Sequence, residues 1–118
     1  MEFFLTKPIH ISLDAMGGDY APDIIINGAA QAKLRYPNLI FSFFGDQTKL
    51  NPLTQALNLS SFSNVIHTNE VINSSDKPST ALRKGKNSSM GMSIQLVKSG
   101  KADAIVSAGN TGALMAMS

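Results

Sequence analysis

The sequence predicts an α/β fold, a Rossmann-like three-layer α/β/α arrangement around a mostly parallel sheet. Three observations carry that expectation. Short β-branched or aromatic apolar runs alternate with longer stretches of helical spacing along the 118 residues, a pattern that argues for right-handed βαβ crossovers. Glycine-rich turns follow the first and the last of the strand-like runs. Hydrophobic residues make up 43% of the chain and charged residues 15%, enough apolar surface to offset the entropy of ordering it.

Ile9–Leu13 alternates apolar and polar residues and reads as the first strand. It runs into Asp14-Ala15-Met16-Gly17-Gly18-Asp19, a turn, and Pro22 suits the first turn of a helix because its missing N–H is not needed there. Ile24, Ile25, Gly28, Ala29, Ala32 and Leu34 form the helical stripe that follows, stopped by Tyr36-Pro37. Leu39–Phe44 is an uncharged apolar run closed by Gly45-Asp46, as expected of a strand buried on both faces. The next helix spans Thr48–Leu57, with Pro52 predicting a start near that residue. Asn64–Thr68 reads as the third strand, and Val71-Ile72 as an extension of it or a short turn. After a polar, turn-rich stretch from Asn73 to Pro78, Pro78–Lys84 suits a short helix. Ser88 or Ser89 can cap a longer one with Met92, Ile94, Leu96 and Val97 on its apolar side, and Gly100 sits where a helix end wants positive φ. Ala102–Ser107 is the fourth strand, Ala108–Gly112 a tight turn, and Ala113–Met117 the start of a last helix. That apolar pattern runs to Ser118 without a cap or a closing strand, so the expectation is residues 1–8 as an extension and residues 9–118 as the N-terminal portion of one larger α/β domain, truncated at its C-terminus.

Composition removes several function classes. There are no cysteines, hence no disulfide, thiolate zinc site or cysteine nucleophile. His10 and His67 lack metal-ligand spacing, are read as strand residues, and no metal site is expected. A net charge of +2 without a basic stripe does not suit a nucleic-acid binder. The first residues lack the basic and apolar regions of a signal peptide, and no run approaches the ~20 apolar residues of a membrane span, so the expected location is cytoplasmic. The six methionines are read as core fillers.

In open parallel sheets ligands bind beyond the carboxyl ends of the strands, and both glycine turns fall at such ends. Glycine lets main chain approach a ligand without a Cβ in the way, and a following helix start favours an anion. Gly17, Gly18, Gly109 and Gly112 are therefore candidates for holding phosphate, with Asn110 and Thr111 as hydrogen-bond donors to phosphate or to a carbonyl oxygen. The same glycines also fit ordinary strand-to-helix turns. Asp14 and Asp19 could face a cation, although an Asp in such a turn commonly accepts from its own main-chain N–H groups. Arg83, Lys84 and Lys86 form a basic cluster before Ser88-Ser89, either a solvated face or a docking point for a phosphate-bearing or acidic partner. The sequence contains no G-x-G-x-x-G, no Walker Gly-Lys-Ser/Thr and no Gly-x-Ser-x-Gly.

Three blocks, in order, carry a resemblance: Asp14–Asp19 directly after the first strand; Pro78-Ser79-Thr80-Ala81-Leu82-Arg83 leading to Ser88-Ser89-Met90; and Leu96–Ala104 leading into Ser107–Met115. Together they are similar to the PlsX family of phosphate acyltransferases. The resemblance implies transfer of a long-chain acyl group from acyl carrier protein to inorganic phosphate, giving acyl phosphate for phospholipid synthesis, on a fold of the isocitrate/isopropylmalate dehydrogenase and phosphotransacetylase-like group. It implies no cofactor, a homodimer, peripheral membrane association and a membrane glycerol-3-phosphate acyltransferase that consumes the product. On that reading Asn110 and Thr111 are candidate oxyanion or phosphate donors. Asp14, Gly17, Gly18, Arg83, Lys86, Ser88, Ser89, Gly109 and Gly112 are candidates for the phosphate side. Tyr20 stands where many relatives have histidine, so no histidine base is assigned to this loop. Rival readings are acyl transfer between coenzyme A and phosphate, a dehydrogenase of the same fold group, and a non-catalytic module that binds a phospho-ligand or the carrier protein.

Overall fold

The structure, a computed structural model, describes residues 7–118. Most of the extension expected over residues 1–8 lies outside them. The element order is β1 (Ile9–Asp14), α1 (Asp23–Arg35), β2 (Leu39–Gly45), α2 (Gln47–Ala56), a 3-10 turn (Ser60–Phe62), β3 (Ser63–His67), α3 (Pro78–Lys84), a second 3-10 turn (Gly85–Asn87), α4 (Ser89–Lys98), β4 (Ala104–Val106) and α5 (Thr111–Met117). All strands are parallel and stand in the order β3-β2-β1-β4. The chain thus walks outward from β1 to β3 and then crosses back, through α3 and α4, to the other side of β1. The gap between β1 and β4 is therefore a topological switch point, where crossovers diverge and leave a crevice above the strand ends.

Alternation along the strands sorts their side chains. Ile11 and Leu13 of β1 and Phe41 and Phe43 of β2 lie on one face, with Ile25, Ile26 and Ala29 of α1, Leu50 of α2 and Leu59. Phe41 and Phe43 stack with ring centroids 5.6 Å apart. Phe43, Ile26 and Leu50 are wholly buried, and each such side chain contributes about 1.5–3 kcal/mol. The opposite face carries Ser12, Asp14 and Ser42, all buried, under α4. Ser12 Oγ donates to Ser93 O at 2.8 Å, which ties helix to sheet through a hydroxyl where an apolar pair is usual. A second cluster, Ile72, Ala81, Met90, Ile94 and Ala113, joins α3, α4 and α5.

Several expectations hold and several are corrected. Ser88 caps α4, its Oγ accepting from Gly91 N–H at 3.0 Å, and Gly100 has φ +80° just past the helix end. His10 and His67 lie in strands. The helix predicted to start near Pro52 starts at Gln47, because the Asp46 carboxylate caps it by accepting from Thr48 N–H at 3.0 Å. Pro52 sits inside and only one main-chain bond is forgone. In α1 the sheet-facing residues are Ile25, Ile26 and Ala29, while Ile24 and Leu34 are exposed and Gly28 faces open space. Residues 24 and 28, four apart, share the outer side. The third strand does not extend to Val71-Ile72: Glu70 makes a single bridge to Ser88, and Ile72 enters the second cluster. The fourth strand is shorter than predicted: Ala102 N–H donates back to Leu96 O of α4, and Asp103, whose N–H donates to His10 O of β1, leads into the regular ladder that begins at Ala104. Met90 is core, but Met115 is 76% exposed. Among the described residues, no helix is long and apolar enough to cross a membrane.

Candidate functional site at the switch point

β1 and β4 are neighbours and parallel, so the turns that leave them emerge side by side at one rim. The first turn cannot carry side chains where the two meet. A Cβ on Gly17 would stand 2.5 Å from Asp14 Oδ2 and 3.0 Å from Gly109 N. Gly18 has φ +95°, and a Cβ there would stand 3.0 Å from Ala108 O, so both backbone angle and space demand glycine. The rim holds a cleft of about 380 Å³. Met16, Gly18 and Asp19 form one wall and Ala108, Gly109 and Asn110 another. The segment Val71–Ser74 closes it. Asp19 is the one ionisable side chain in this lining among the described residues, and among them no acceptor is found for the main-chain N–H of Gly18 or Ala108.

The Asp14 carboxylate lies under this rim and is buried. Oδ1 accepts from Ser89 Oγ at 2.6 Å and from Met16 N–H at 3.3 Å, the local turn bond expected of such an Asp. Oδ2 accepts from Ser107 Oγ at 2.9 Å. Ser107 Oγ in turn accepts from Gly109 N–H at 3.1 Å. One side chain of β1 thus reaches the start of α4 and the turn after β4.

Asn110 caps α5. Its Oδ1 accepts from Ala113 N–H at 3.0 Å, and its Nδ2 donates to Asn73 O at 3.1 Å and Asp76 O at 2.7 Å. Both N–H groups of the amide are committed to the turn that walls the cleft. Asp76 Oδ2 closes that turn by accepting from Asn73 N–H at 2.9 Å.

The remaining candidates lie elsewhere. Thr111 is exposed at the first position of α5 and is absent from the cleft lining. Gly112 packs against α3, where a Cβ would stand 3.1 Å from Pro78 Cγ. Ser88 and Ser89 are buried in structural bonds, Ser88 to Gly85 O at 2.6 Å and Ser89 to Asp14. Arg83 is exposed on α3. Lys86, also exposed, borders a separate groove of about 600 Å³ beside α4, with Leu82, Met92 and Lys101 among its walls. Gly17, Gly18, Gly109 and Asn110 are therefore brought to one rim, and Arg83 and Lys86 are not among the residues that line it. No group of three or more His, Cys, Asp or Glu side chains converges among the described residues.

Sequence reasoning read Asn73–Pro78 as turn-rich and Ser107 as the end of a strand, but missed the part that Ser107 and the Asn73–Asp76 turn play at this rim. An Asn and an Asp three apart in a polar stretch are a signal for a self-bonded turn, but nothing local places that turn against Asn110.

A parallel sheet with a cleft between two glycine turns at its switch point defines a Rossmann-like α/β protein with a candidate ligand site at its carboxyl rim. Residues 9–118 match the model of the family described as "Fatty acid synthesis protein". The chain belongs to that family. It is 49% identical over 115 residues to a protein named phosphate acyltransferase from Azorhizobium caulinodans, covering 96% of this chain and 32% of the relative. Proteins of the same name from Parvibaculum lavamentivorans and Shewanella amazonensis are 50% and 47% identical, over 96% and 91% of the chain and 32% of each relative. The chain spans about a third of the length of these relatives.

Proposed function

We propose that this chain supplies the phosphate-holding part of an enzyme that transfers a long-chain acyl group from acyl carrier protein to inorganic phosphate. The observation that carries the reading is the contact between the Gly17-Gly18 and Ala108-Gly109 turns at the switch point, in a chain whose relatives are named phosphate acyltransferases. With no cationic side chain in the lining among the described residues, the anion is held by main-chain N–H groups, as at other glycine-rich rims. An oxygen of hydrogen phosphate attacks the thioester carbonyl and a C–O bond forms; the oxyanion then collapses, the C–S bond breaks, and the departing thiolate of the carrier takes the proton that the phosphate gives up. Fixing phosphate beside the thioester supplies proximity, and donors aimed at the developing oxyanion supply the electrostatic part.

Arg83, Lys84 and Lys86, exposed on α3 and the turn after it, suit steering of an acidic carrier. A homodimer at the cytoplasmic membrane surface, handing acyl phosphate to a glycerol-3-phosphate acyltransferase, completes the reading. No cofactor is needed for this chemistry.

The test joins this chain to the remaining two thirds of the Azorhizobium relative. The product is supplied with orthophosphate and palmitoyl-carrier protein, and acyl phosphate is trapped with hydroxylamine as the hydroxamate. Phosphate-dependent hydroxamate with release of carrier thiol is expected. A folded protein that forms none, or that acts only on coenzyme A thioesters, overturns the reading.

A further inference from the structure

We propose that Asp14 is a positioning residue that sets the gap between the two glycine turns through Ser107, and does not itself hold phosphate. The inference rests on reading the cleft as a phosphate site. Both oxygens of the buried carboxylate are already occupied by donors from three places in the chain. A carboxylate has no proton to give. The single proton of the Ser107 hydroxyl therefore points to Asp14 Oδ2, and the oxygen lone pairs of Ser107 are left facing Gly109 N–H. That fixes the direction of the relay. Gly109 is turned toward the β1 turn, where its main chain meets that of Gly17. Ala108, next to it, keeps its N–H without an acceptor among the described residues.

The geometry makes Asp14→Asn a selective change. The two donors that are not Ser107, Ser89 Oγ and Met16 N–H, both use Oδ1. The amide oxygen keeps them, and the amide nitrogen falls at Oδ2 opposite Ser107. The amide N–H now donates into Ser107 Oγ, the Ser107 proton loses its acceptor, and the hydroxyl must rotate, so that Gly109 N–H shares a reoriented acceptor that it held alone before. Charge alone predicts the opposite outcome for ligand binding, since loss of a formal negative charge below the cleft favours an anion.

The test uses the 15N-labelled chain, its Asp14→Asn and Ser107→Ala variants, and inorganic phosphate as the probe. In both variants the exchange of Gly109 N–H with solvent is expected to quicken by about tenfold or more, with the amides of Leu13 and Phe43 still protected. Phosphate, followed through the Gly18 and Ala108 amide shifts, is expected to bind at least about fivefold more weakly to Asp14→Asn. Unchanged Gly109 exchange in Asp14→Asn overturns the inference, and so does tighter phosphate binding. Should Asp14→Asn fail to fold, Ser107→Ala decides through the same amide. Should the parent chain bind no phosphate, the functional reading fails, and Gly109 exchange still decides the role of Asp14.

Discussion

Gly17 and Gly109 meet main chain to main chain: a Cβ on Gly109 would stand 3.3 Å from the Cα of Gly17, and one on Gly17 would stand 3.0 Å from the Gly109 nitrogen. The contact is what brings the turns after β1 and β4 to a single cleft. The two glycines differ in what else surrounds them. Alanine at 17 also drives a methyl to 2.5 Å from the buried Asp14 Oδ2, whereas a methyl at 109 would stand 3.4 Å from that oxygen, an ordinary contact, and 3.2 Å from the movable Met90 Cε. Gly17→Ala is expected to cost about 2–3 kcal/mol and Gly109→Ala about 1 kcal/mol, by analogy with overpacked sites. Thermal or urea unfolding of the two variants checks the order.

The same substitution is expected to change sign between two helices. Gly28 lies in α1, where a methyl added at its Cα would meet nothing within 4 Å, so Gly28→Ala gains about 0.5–1 kcal/mol from backbone entropy. Gly91 lies in α4, where a methyl would stand 2.0 Å from Gly85 O. Main chain must move to admit it, and Gly91→Ala is expected to cost about 3 kcal/mol. Urea midpoints of both variants test the contrast.

Asn110 joins two jobs that separate cleanly. Serine can cap α5 as asparagine does but cannot reach Asn73 O and Asp76 O. Asn110→Ser should keep α5 intact and speed exchange of Asp76 N–H, which donates to Asn73 O. Asn110→Ala loses the cap as well, for a total of about 2 kcal/mol. In the joined enzyme described above, Asn110→Ala is expected to lower turnover by roughly tenfold or more while the protein stays folded, because the cleft wall is released. Unchanged turnover would separate this residue from the mechanism.

The cap of α2 is expected to respond to acid only at low pH. The Asp46 carboxyl is held below its ordinary value of 3.8, chiefly by the Thr48 hydroxyl and then by Thr48 N–H. A lowered folded value means that the cap contributes fully above the unfolded value and is lost as pH falls through the folded one. Exchange of Thr48 N–H, corrected for intrinsic rate, should be flat from neutral pH to about 4 and rise below it. Asp46→Asn should remove that rise.

Much of the fold was legible because it rests on local chemistry. Ile9–Leu13 and Leu39–Phe44 announce strands by β-branched and aromatic content, and Ser88 and Gly100 bound α4 through a cap and a left-handed residue. Pro52 misled because proline argues against a helix interior, while the Asp46 cap that outweighs it lies six residues earlier. The glycine turns were legible as turns. The commitments of Asn110 and Ser89 were not, since their partners at Asp76 and Asp14 lie 34 and 75 residues away.

The amino-acid order alone determined the class of the protein: alternating strands and helices, glycine at both rim turns, no cysteine, and the blocks that mark the family. Those are properties of short stretches, governed by backbone sterics and hydrophobic period. Only the tertiary structure decided that β4 returns beside β1, so that two turns some ninety residues apart share one cleft and one buried carboxylate. Strand order depends on which edges pair after the chain has crossed the sheet, and that free energy belongs to contacts no local window contains.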